Sequence, residues 1–368
     1  MILRDKRIRR IADKISAGKR ISGEDAIYLF KISNLGEIAY LADMIKKRLH
    51  AKNVYFVVNR HITHTNICIN KCKFCAFGKS KDDKASYVLS VDDIVKQALS
   101  AKKLDVRELH IVGGLNPDLD LNYYVEVIGK LREILPRVVI KALTAVEIDY
   151  LAQKHGLTVL EVLKVLKDAG LNYIPGGGAE VFSSKVRKLV CPEKISGDKW
   201  LSIHKTAHQL GIPTNATILY GHVETIEDRV EHMLKLRELQ DKTGGFNAFI
   251  PLAFQPKNTE LEAQHSYSTT GCDDLKMLAV SRILLDNFRH IKAYWINMGI
   301  KMVQIALDFG VDDIHGTVVE EKISHAAGAN TKQLLSKNDL IELILQAGKI
   351  AVERDALYNT IKIYNRES

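Results

Sequence analysis

Cysteine is scarce in this 368-residue sequence, which has five of them, an odd number. So few cysteines exclude the disulfide-dense scaffolds of small secreted proteins. The sequence also lacks an uninterrupted apolar run of membrane-spanning length, and its N-terminus lacks a signal-peptide core. No low-complexity linker or internal repeat is visible beyond a strand–helix rhythm. With 46% hydrophobic and 26% charged residues, we expect a globular cytoplasmic protein that is not inserted into a membrane.

The net charge is +9, and part of this excess lies in the first twenty residues. A basic protein can bind nucleic acid, but these lysines and arginines are scattered along predicted helical faces. Neither interleaved aromatic residues nor a recognisable binding motif accompanies them. A solvated helix face accounts for the N-terminal charge, and an anionic small molecule would use a few other cations. We therefore expect no nucleic-acid partner.

Short apolar segments alternate with helical segments from residue 54 onward. Such alternation predicts βαβ units and a parallel sheet, and eight of them fit a closed (β/α)8 barrel of the TIM type. The predicted strands are residues 54–58, 109–112, 138–140, 171–174, 214–220, 246–254, 291–295 and 311–315.

Helical patterns flank the barrel on both sides. Ile8, Ile11 and Ile15 recur at helical spacing, and Ser22 with Asp25 predicts a capped second helix. The apolar residues between 332 and 364 again predict helix. The expected organisation is an N-terminal helical extension (1–50), the barrel (51–320) and a C-terminal helical extension packed on it (321–368).

The active site of such a barrel lies at the carboxyl ends of its strands. Polar and glycine-rich segments that directly follow the strands are therefore the candidate site. They are the stretch Asn66 to Gly78, the pair Gly113–Gly114, Thr144, the segment Gly176 to Glu180, His222, Gln255 and His315.

Three cysteines, Cys68, Cys72 and Cys75, stand in one short stretch at the spacing C-x3-C-x2-C. Four-iron clusters are normally held by four thiolates, so three leave one iron without a protein ligand. An open coordination position is typical of a catalytic metal site. A structural zinc site is the second interpretation, with His64 as the fourth ligand. Zinc sites typically use two separated ligand pairs, however, and the sequence has no second C-x2-C.

This spacing, with Phe74 before the last cysteine, resembles the signature loop of radical S-adenosylmethionine (SAM) enzymes. The resemblance implies that the three cysteines hold a 4Fe-4S cluster whose free iron binds the amino and carboxylate groups of SAM. It also implies that the backbone of Gly113 and Gly114 accepts from the SAM ammonium. Paired glycines would otherwise indicate only a tight turn.

Further contacts to SAM are expected from residues near the later strand ends. Glu180, beside three glycines, suits bidentate hydrogen bonding to the ribose hydroxyls. Arg187 is a candidate for the SAM carboxylate, or else an exposed helix arginine. Thr144 is a candidate polar contact, or else the N-cap of the next helix. His222 is the candidate catalytic residue, although a lone histidine is more often structural.

Several segments resemble more narrowly the aminofutalosine synthase family, radical SAM enzymes of the futalosine route to menaquinone. The segments are H-T-N-I-C-I-N-K-C-K-F-C-A-F (64–77), P-G-G-G-A-E-V-F-S (175–183), T-N-A-T-I-L-Y-G-H-V-E-T (214–225), K-T-G-G-F-N-A-F-I-P-L-A-F-Q-P (242–256) and S-H-A-A-G-A (324–329).

This second resemblance implies a transferase reaction. The 5′-deoxyadenosyl radical from SAM adds to the vinyl carbon of 3-[(1-carboxyvinyl)oxy]benzoate, the aryl group migrates, and a carboxyl group is lost to give 6-amino-6-deoxyfutalosine. SAM is thereby a co-substrate, and a low-potential donor such as flavodoxin or ferredoxin supplies the electron. For the two carboxylates of this aromatic substrate, the candidates are His222, Arg187 and Lys141.

Alternative functions stay open at this point. The paralogous dehypoxanthine futalosine cyclase shares the cysteine loop and the glycine segment, and a related deazaflavin-precursor synthase is a further candidate. Residues 219–225 and 248–254 look more like the synthase. A metal-stabilised binding protein is the alternative of another class, which zinc without iron would favour.

Overall fold

The computed structural model describes residue 3 and residues 5–102, 104–264 and 269–365. Helices and strands alternate through most of it. The helices are α1 Lys6–Ser16, α2 Gly23–Lys31, α3 Leu35–His50, α4 Val91–Lys102, α5 Leu121–Ile134, α6 Ala145–His155, α7 Val159–Ala169, α8 Ser184–Val190, α9 Gly197–Gln209, α10 Ile226–Thr243, α11 Gly271–Leu284, α12 Trp295–Met298, α13 Ile300–Ala306, α14 Ile323–Ala326 and α15 Lys337–Gln346, with a 3-10 turn at Glu262–Gln264. The strands are β1 Asn53–Val57, β2 Asn59–Thr63, β3 Glu108–Val112, β4 Val139–Ala142, β5 Thr214–Tyr220, β6 Phe246–Ala253, β7 His290–Ile291, β8 Asp313–Gly316, β9 Ile350–Arg354 and β10 Thr360–Tyr364.

Parallel pairing closes these strands into a barrel, as the sequence predicts. β2 pairs with β3 and β3 with β4, while β5 pairs with β6 and β6 with β7, all in parallel. Parallel bridges at Tyr173 and Ile174 join the two groups, and a bridge between Lys292 and Asp313 links β7 to β8. β8 then pairs with β1. The ring is therefore complete, and the carboxyl ends of its strands converge on one mouth.

The first barrel strand is longer than predicted and divides at Val58 into β1 and β2. Its first half pairs with β8 on one side and with β9 on the other, whereas its second half pairs with β3. The division lets the C-terminal strand β9 enter the sheet beside the first half. The second half consequently brings the cysteine stretch to the mouth.

Two predicted strands are weaker than expected. Residues 171–174 contribute only isolated bridges. β7 is two residues long, and Trp295 begins helix α12 instead of ending the strand. Its indole donates from Nε1 to the Gly316 carbonyl at 2.8 Å and is buried, so Trp295 fills the core beside β8.

The N-terminal helices pack on the barrel through faces that the sequence predicts. Ile8, Ile11 and Ile15 of α1 are buried. Ser22 and Asp25 form the predicted capping box of α2. Helices α2 and α3 lie against α11, and α2 also contacts α10, so this extension covers the outside of the barrel.

The prediction of helix throughout residues 332–364 is wrong beyond residue 346. Only α15 is helical there, and the chain then forms β9 and β10. β9 adds to β1 in parallel, and β10 returns antiparallel at the edge. The segments I-A-V-E-R and T-I-K-I-Y show the period of two that is typical of strands. The helical spacing of the leucines in the preceding α15 led to the prediction that the helix continues.

None of the helices in the described ranges is long and apolar enough to cross a membrane.

Candidate active site

A cavity of about 340 Å³ opens at the carboxyl ends of the barrel strands. Loops from most of the strands contribute to its wall, so residues far apart in sequence meet there. Of the predicted strand-end residues, those that line the cavity are Cys68, Asn70, Cys72, Phe74, Cys75, Ala76, Phe77, Gly78, Gly113, Gly114, Thr144, Gly177, Gly178, Glu180, Gln255 and His315.

The cysteine stretch is a compact loop fixed by backbone hydrogen bonds. The amide of Cys68 donates to the Lys79 carbonyl at 3.0 Å, and the amide of Cys75 donates to the Cys72 carbonyl at 3.0 Å. The amide of Lys73 donates to Val190 of helix α8 at 2.9 Å, which anchors the middle of the loop. These hydrogen bonds hold the loop in place, and all three of its thiols face one cavity.

The chemistry of this donor set fits an iron–sulfur cluster with one open position. Three thiols from one loop line the cavity, and burial raises the pKa of Cys68 and raises that of Cys72 to about 12. Such buried thiols become thiolates when a metal binds, since the metal replaces the proton. Cys191 is buried at the end of α8, and Cys272 is exposed on α11; neither lines the cavity.

His64, the fourth ligand of the zinc hypothesis, does not line this cavity. Its imidazole is buried, and Nε2 lies 3.1 Å from the Tyr124 hydroxyl. Because this imidazole contacts a tyrosine behind the loop, His64 is not placed as the fourth ligand of a zinc site with the three cysteines. The geometry therefore favours the cluster.

Gly113 and Gly114 bring the end of β3 into backbone contact with the cysteine stretch. A Cβ on Gly114 would lie 2.2 Å from the Ile67 carbonyl oxygen, and a Cβ on Gly113 would lie 2.8 Å from that of Thr65. The amide of Gly114 donates to the Thr65 carbonyl at 2.8 Å. These glycines thus allow β3 to support the loop, in addition to presenting bare backbone to the cavity.

The glycine segment after residue 174 packs in the same way. A Cβ on Gly176 would lie 2.8 Å from the Asn215 carbonyl oxygen, and Gly178 has a φ of +85° that favours glycine. The segment ends at Glu180, which itself adopts a φ of +47°. The chain therefore turns sharply here and directs the Glu180 carboxylate into the cavity.

Glu180 is held by an ion pair that the sequence does not reveal. Lys194 Nζ donates to Glu180 Oε1 at 2.6 Å and lies 5.1 Å from the centre of the Phe74 ring. Burial favours a raised pKa for Glu180, but Lys194 outweighs it and holds the pKa below its usual value. The carboxylate is therefore charged, with Oε2 free of any hydrogen bond to another described residue.

Arg187 holds the glycine segment instead of reaching the cavity. Its guanidinium donates through Nη1 to the carbonyls of Ala179 at 2.7 Å and Val181 at 3.3 Å, and through Nη2 to that of Ile195. Arg187 is buried and is not among the lining residues. These contacts make it a positioning residue for Glu180, and its expected pairing with the SAM carboxylate finds no support in this geometry.

Thr144 is the N-cap of the next helix and also lies on the cavity wall, and its contact to SAM stays a prediction. It caps α6 in a capping box with Glu147, and its side chain lines the cavity. Glu147 lines the cavity as well, and burial raises its pKa to about 7. Its Oε1 is buried and has no hydrogen-bond partner among the described residues. An unpaired buried oxygen of this kind is a candidate acceptor for a donor group on a ligand.

The structure does not bring His222 to the cavity. Its Nε2 lies 3.0 Å from the Leu219 carbonyl oxygen, and its Nδ1 accepts from the Val223 amide at 2.8 Å. Burial lowers the pKa of His222, so a neutral ring satisfies both partners. The imidazole has no nitrogen left for a substrate group, and we assign it to the local turn after β5.

Lys141 also lies away from the cavity wall. Its Nζ donates to Glu108 Oε2 at 2.6 Å inside the barrel. The lining residues that were absent from the predicted set include the titratable side chains of His61, His110, Glu147, Lys194, Tyr294 and Glu321. His61 and His110 lie within strands, so attention to strand ends alone could not find them.

Comparison with known proteins agrees with this architecture. Residues 62–236 match the Radical SAM superfamily, and residues 243–366 match the CofH/MqnC C-terminal region. The fold is similar to that of the [FeFe]-hydrogenase maturase HydG from Carboxydothermus hydrogenoformans, with a TM-score of 0.74 and 18% identity over 95% of this chain and 80% of that chain. Methylornithine synthase (PylB) gives a TM-score of 0.73 and 17% identity, over 90% and 95%. The protein is thus a radical SAM barrel enzyme, a class that uses a 4Fe-4S cluster and SAM.

Comparison with curated relatives identifies the family to which the chain belongs within this class. Aminodeoxyfutalosine synthase of Thermus thermophilus is 45% identical over 99% of this chain and 98% of its own length, and that of Streptomyces coelicolor is 38% identical over 97% and 94%. The 5-amino-6-(D-ribitylamino)uracil–L-tyrosine 4-hydroxyphenyl transferase of Archaeoglobus fulgidus is 41% identical over 90% and 95%. The chain belongs to this family of radical SAM enzymes, which includes the aminodeoxyfutalosine synthases.

If Glu180 binds the ribose hydroxyls of SAM, Glu180→Gln should weaken SAM binding while the cluster still assembles. Each lost charge-assisted hydrogen bond is worth about 1.5–3 kcal/mol, so the SAM affinity should fall about tenfold or more. Equilibrium dialysis of the reconstituted protein measures this. Glu193→Gln, which alters a nearby exposed carboxylate, is the matched control. Unchanged affinity in Glu180→Gln would leave Glu180 only its ion pair with Lys194.

Proposed function

We propose that this protein is an aminodeoxyfutalosine synthase of menaquinone biosynthesis. It joins the 5′-deoxyadenosyl part of SAM to 3-[(1-carboxyvinyl)oxy]benzoate, with aryl migration and loss of a carboxyl group, and releases 6-amino-6-deoxyfutalosine. The observation that carries this proposal is the 45% identity to the Thermus thermophilus synthase over nearly the full length of both chains. The three-cysteine cavity supports the radical chemistry that this reaction needs.

Cys68, Cys72 and Cys75 would hold the cluster at the rim of the cavity. When bound, the cluster supplies the electron that cleaves SAM to methionine and a 5′-deoxyadenosyl radical. Gly113, Gly114 and the charged carboxylate of Glu180 line the same cavity; the two glycines would present backbone to the amino acid part of SAM, and Glu180 would bind its ribose. The chain itself thus needs only to bind, orient and shield the two reactants.

Shielding follows from the apolar wall formed by β5 and β6. Leu219, Ile250, Leu252 and Ala253 line the cavity beside the polar residues. Such side chains exclude water, which protects a reactive intermediate from side reactions. No acid–base pair is required for radical addition, in agreement with the structural assignment of His222.

The hydroxyphenyl transferases are the second candidate, because one of them is 41% identical to this chain. Anaerobic incubation with SAM, a reductant and each set of acceptors separates the two. We expect the enolpyruvyl ether of 3-hydroxybenzoate to be converted to an aminofutalosine adduct, and tyrosine with 5-amino-6-(D-ribitylamino)uracil to remain unchanged. Turnover of the second pair alone, measured by mass spectrometry, would identify the protein as a transferase of that kind.

An acidic one-electron carrier such as flavodoxin or ferredoxin is the proposed reductant, and the outer face of the cysteine loop suits it. Ile69 and Leu189 are 45% and 51% exposed there, and Lys71, Lys73 and Lys188 are exposed around them. Exposed basic and apolar side chains on this loop and on α8 are complementary to a negatively charged partner. The same proposal includes a cytoplasmic location. Thiols stay reduced in the cytoplasm, as unpaired cysteines and a reaction driven by a low-potential electron donor require.

A further inference from the structure

Three imidazoles meet on the inner wall of the barrel beneath the cysteine loop. His61 of β2, His110 of β3 and His315 of β8 all line the cavity, and together we call them the imidazole floor. The ring centres of His61 and His110 lie 4.6 Å apart, and those of His61 and His315 lie 5.5 Å apart. The Nε2 atoms of His61 and His315 are separated by 3.3 Å. The floor is therefore one contiguous polar surface.

The floor lies deeper than the predicted SAM contacts. His61 and His110 each stand two residues before the end of their strands, and they are direct partners in the parallel register. At the rise of a strand, two residues correspond to about 7 Å. The cysteine loop and the paired glycines follow the strand ends, so a ligand on the floor lies below them and within the same cavity.

The imidazoles are poorly satisfied by the protein. Within the described ranges, neither ring nitrogen of His110 has a hydrogen-bond partner, and its Nδ1 is buried, as is that of His315. Buried polar groups are nearly always paired, with protein, water or ligand. Every neutral imidazole carries one N–H that must find an acceptor. Apart from the one N–H that His61 and His315 can share, the floor thus offers donors for which the described residues supply no acceptor.

The backbone at His315 is strained in a way that fixes its ring. His315 has a φ of +75°, which is unusual for a residue with a side chain. Its amide donates to Asp313 Oδ1 at 2.7 Å, and its ring meets Tyr294 edge-on at 4.8 Å. Strain of this kind persists where surrounding structure enforces it, and it clusters at ligand sites.

The charged side chains close to the floor are paired with one another. Lys141, the register partner of His110 on β4, pairs with Glu108, and Lys292 and Arg354 pair with Asp313. Burial lowers the pKa of Lys292 to about 7, and it lowers the pKa of His61 to about 4. Burial also lowers the pKa of His110 and that of His315, so the imidazoles are neutral hydrogen-bond donors.

Glu321, the carboxylate that lines the cavity beside the floor, is already engaged. It accepts from the backbone amides of Ile323 and Ser324 at 3.0 Å or less. Its negative charge is therefore partly compensated by the start of α14.

We infer that the imidazole floor binds the ring carboxylate of the aromatic substrate. The inference rests on the proposed function and adds the residues that recognise this end of the substrate. The vinyl carbon must approach SAM near the mouth, so the carboxylate at the far end of the aromatic ring points down the barrel. Imidazole N–H groups then supply the hydrogen bonds, and the side chains of β5 and β6 contact the ring between the two ends.

Replacing His110 with phenylalanine tests the floor, since it keeps a planar ring but removes both nitrogens. The enolpyruvyl ether is compared with its analogue in which a carboxamide replaces the ring carboxylate. In the unmodified protein the carboxamide should bind about 30-fold more weakly, the range expected for charge-assisted hydrogen bonds. In His110→Phe the two compounds should bind within about threefold of each other. Titration calorimetry on the reconstituted enzyme with SAM measures both affinities.

Controls separate this inference from the proposed function. SAM affinity and cluster content should be unchanged in His110→Phe, and His155→Gln, at an exposed position on α6, should discriminate like the unmodified protein. If His110→Phe does not fold, His110→Gln takes its place, with a smaller loss of discrimination expected. Adduct formation by the unmodified enzyme with full discrimination retained in the folded variant would overturn the floor alone. Absence of adduct in the unmodified enzyme would overturn the proposed function.

Discussion

Replacement of Cys72 by alanine is expected to abolish reductive cleavage of SAM. Cys72 lines the cavity with Cys68 and Cys75, and three thiolates are already one fewer than a four-iron cluster normally has. With two left, the cluster should fail to assemble, and iron, labile sulfide and methionine formation should all fall to background. Anaerobic reconstitution followed by product analysis measures these quantities.

Cys272→Ala is the matched control for that experiment. Cys272 is exposed on α11 and lies outside the cavity wall, so its loss should change neither iron content nor SAM cleavage. Full activity in Cys72→Ala would contradict the assignment of the cysteine loop as the cluster site.

The second large effect is expected at Gly114, where Gly114→Ala should disable the enzyme without removing any ligand. The new Cβ would lie 2.2 Å from the Ile67 carbonyl oxygen and 2.7 Å from its carbon. Both are backbone atoms of the segment leading into Cys68, so the clash must displace the cysteine loop. A misplacement of about 1 Å can cost about 100-fold in rate. We expect a loss of this size in SAM cleavage, together with reduced cluster content.

Gly129→Ala controls for the substitution itself. Gly129 lies in α5, and a Cβ there would meet no described atom of a neighbouring element within 4 Å. Alanine in a helix interior is favoured over glycine by about 0.5–1 kcal/mol. The control should therefore be fully active and slightly more stable to heat. Normal activity in Gly114→Ala would show that β3 does not support the loop.

Much of the fold can be predicted from the periodicity and length of the apolar segments in the sequence. Apolar runs such as 214–220 and 246–254 predicted β5 and β6 closely, because they are long and bounded by turns. The prediction was wrong for short elements. The two-residue β7 has too little sequence to show a period, and the strands after residue 346 follow a helix whose apolar spacing suggested continuation.

The candidate site was predictable where residues follow strand ends. That rule placed the cysteine loop, both glycine segments and Glu180 at the cavity. The rule could not reveal that the side chains of Arg187 and His222 form hydrogen bonds with backbone carbonyl oxygens close to them in sequence. Such contacts depend on the conformation of the local backbone. His61 and His110 escaped it because they lie inside strands and face inward only once the barrel closes.

The fate of the adenosyl group tests the proposed reaction most directly. With SAM labelled in its adenosyl part and the enolpyruvyl ether as acceptor, a synthase forms a carbon–carbon bond to the 5′-deoxyadenosyl radical. We predict that most of the label appears in an aminofutalosine adduct, with methionine formed in step and the lost carboxyl carbon recovered as bicarbonate. Label found only in free 5′-deoxyadenosine, with dehypoxanthine futalosine consumed instead, would contradict the synthase and identify the paralogous cyclase.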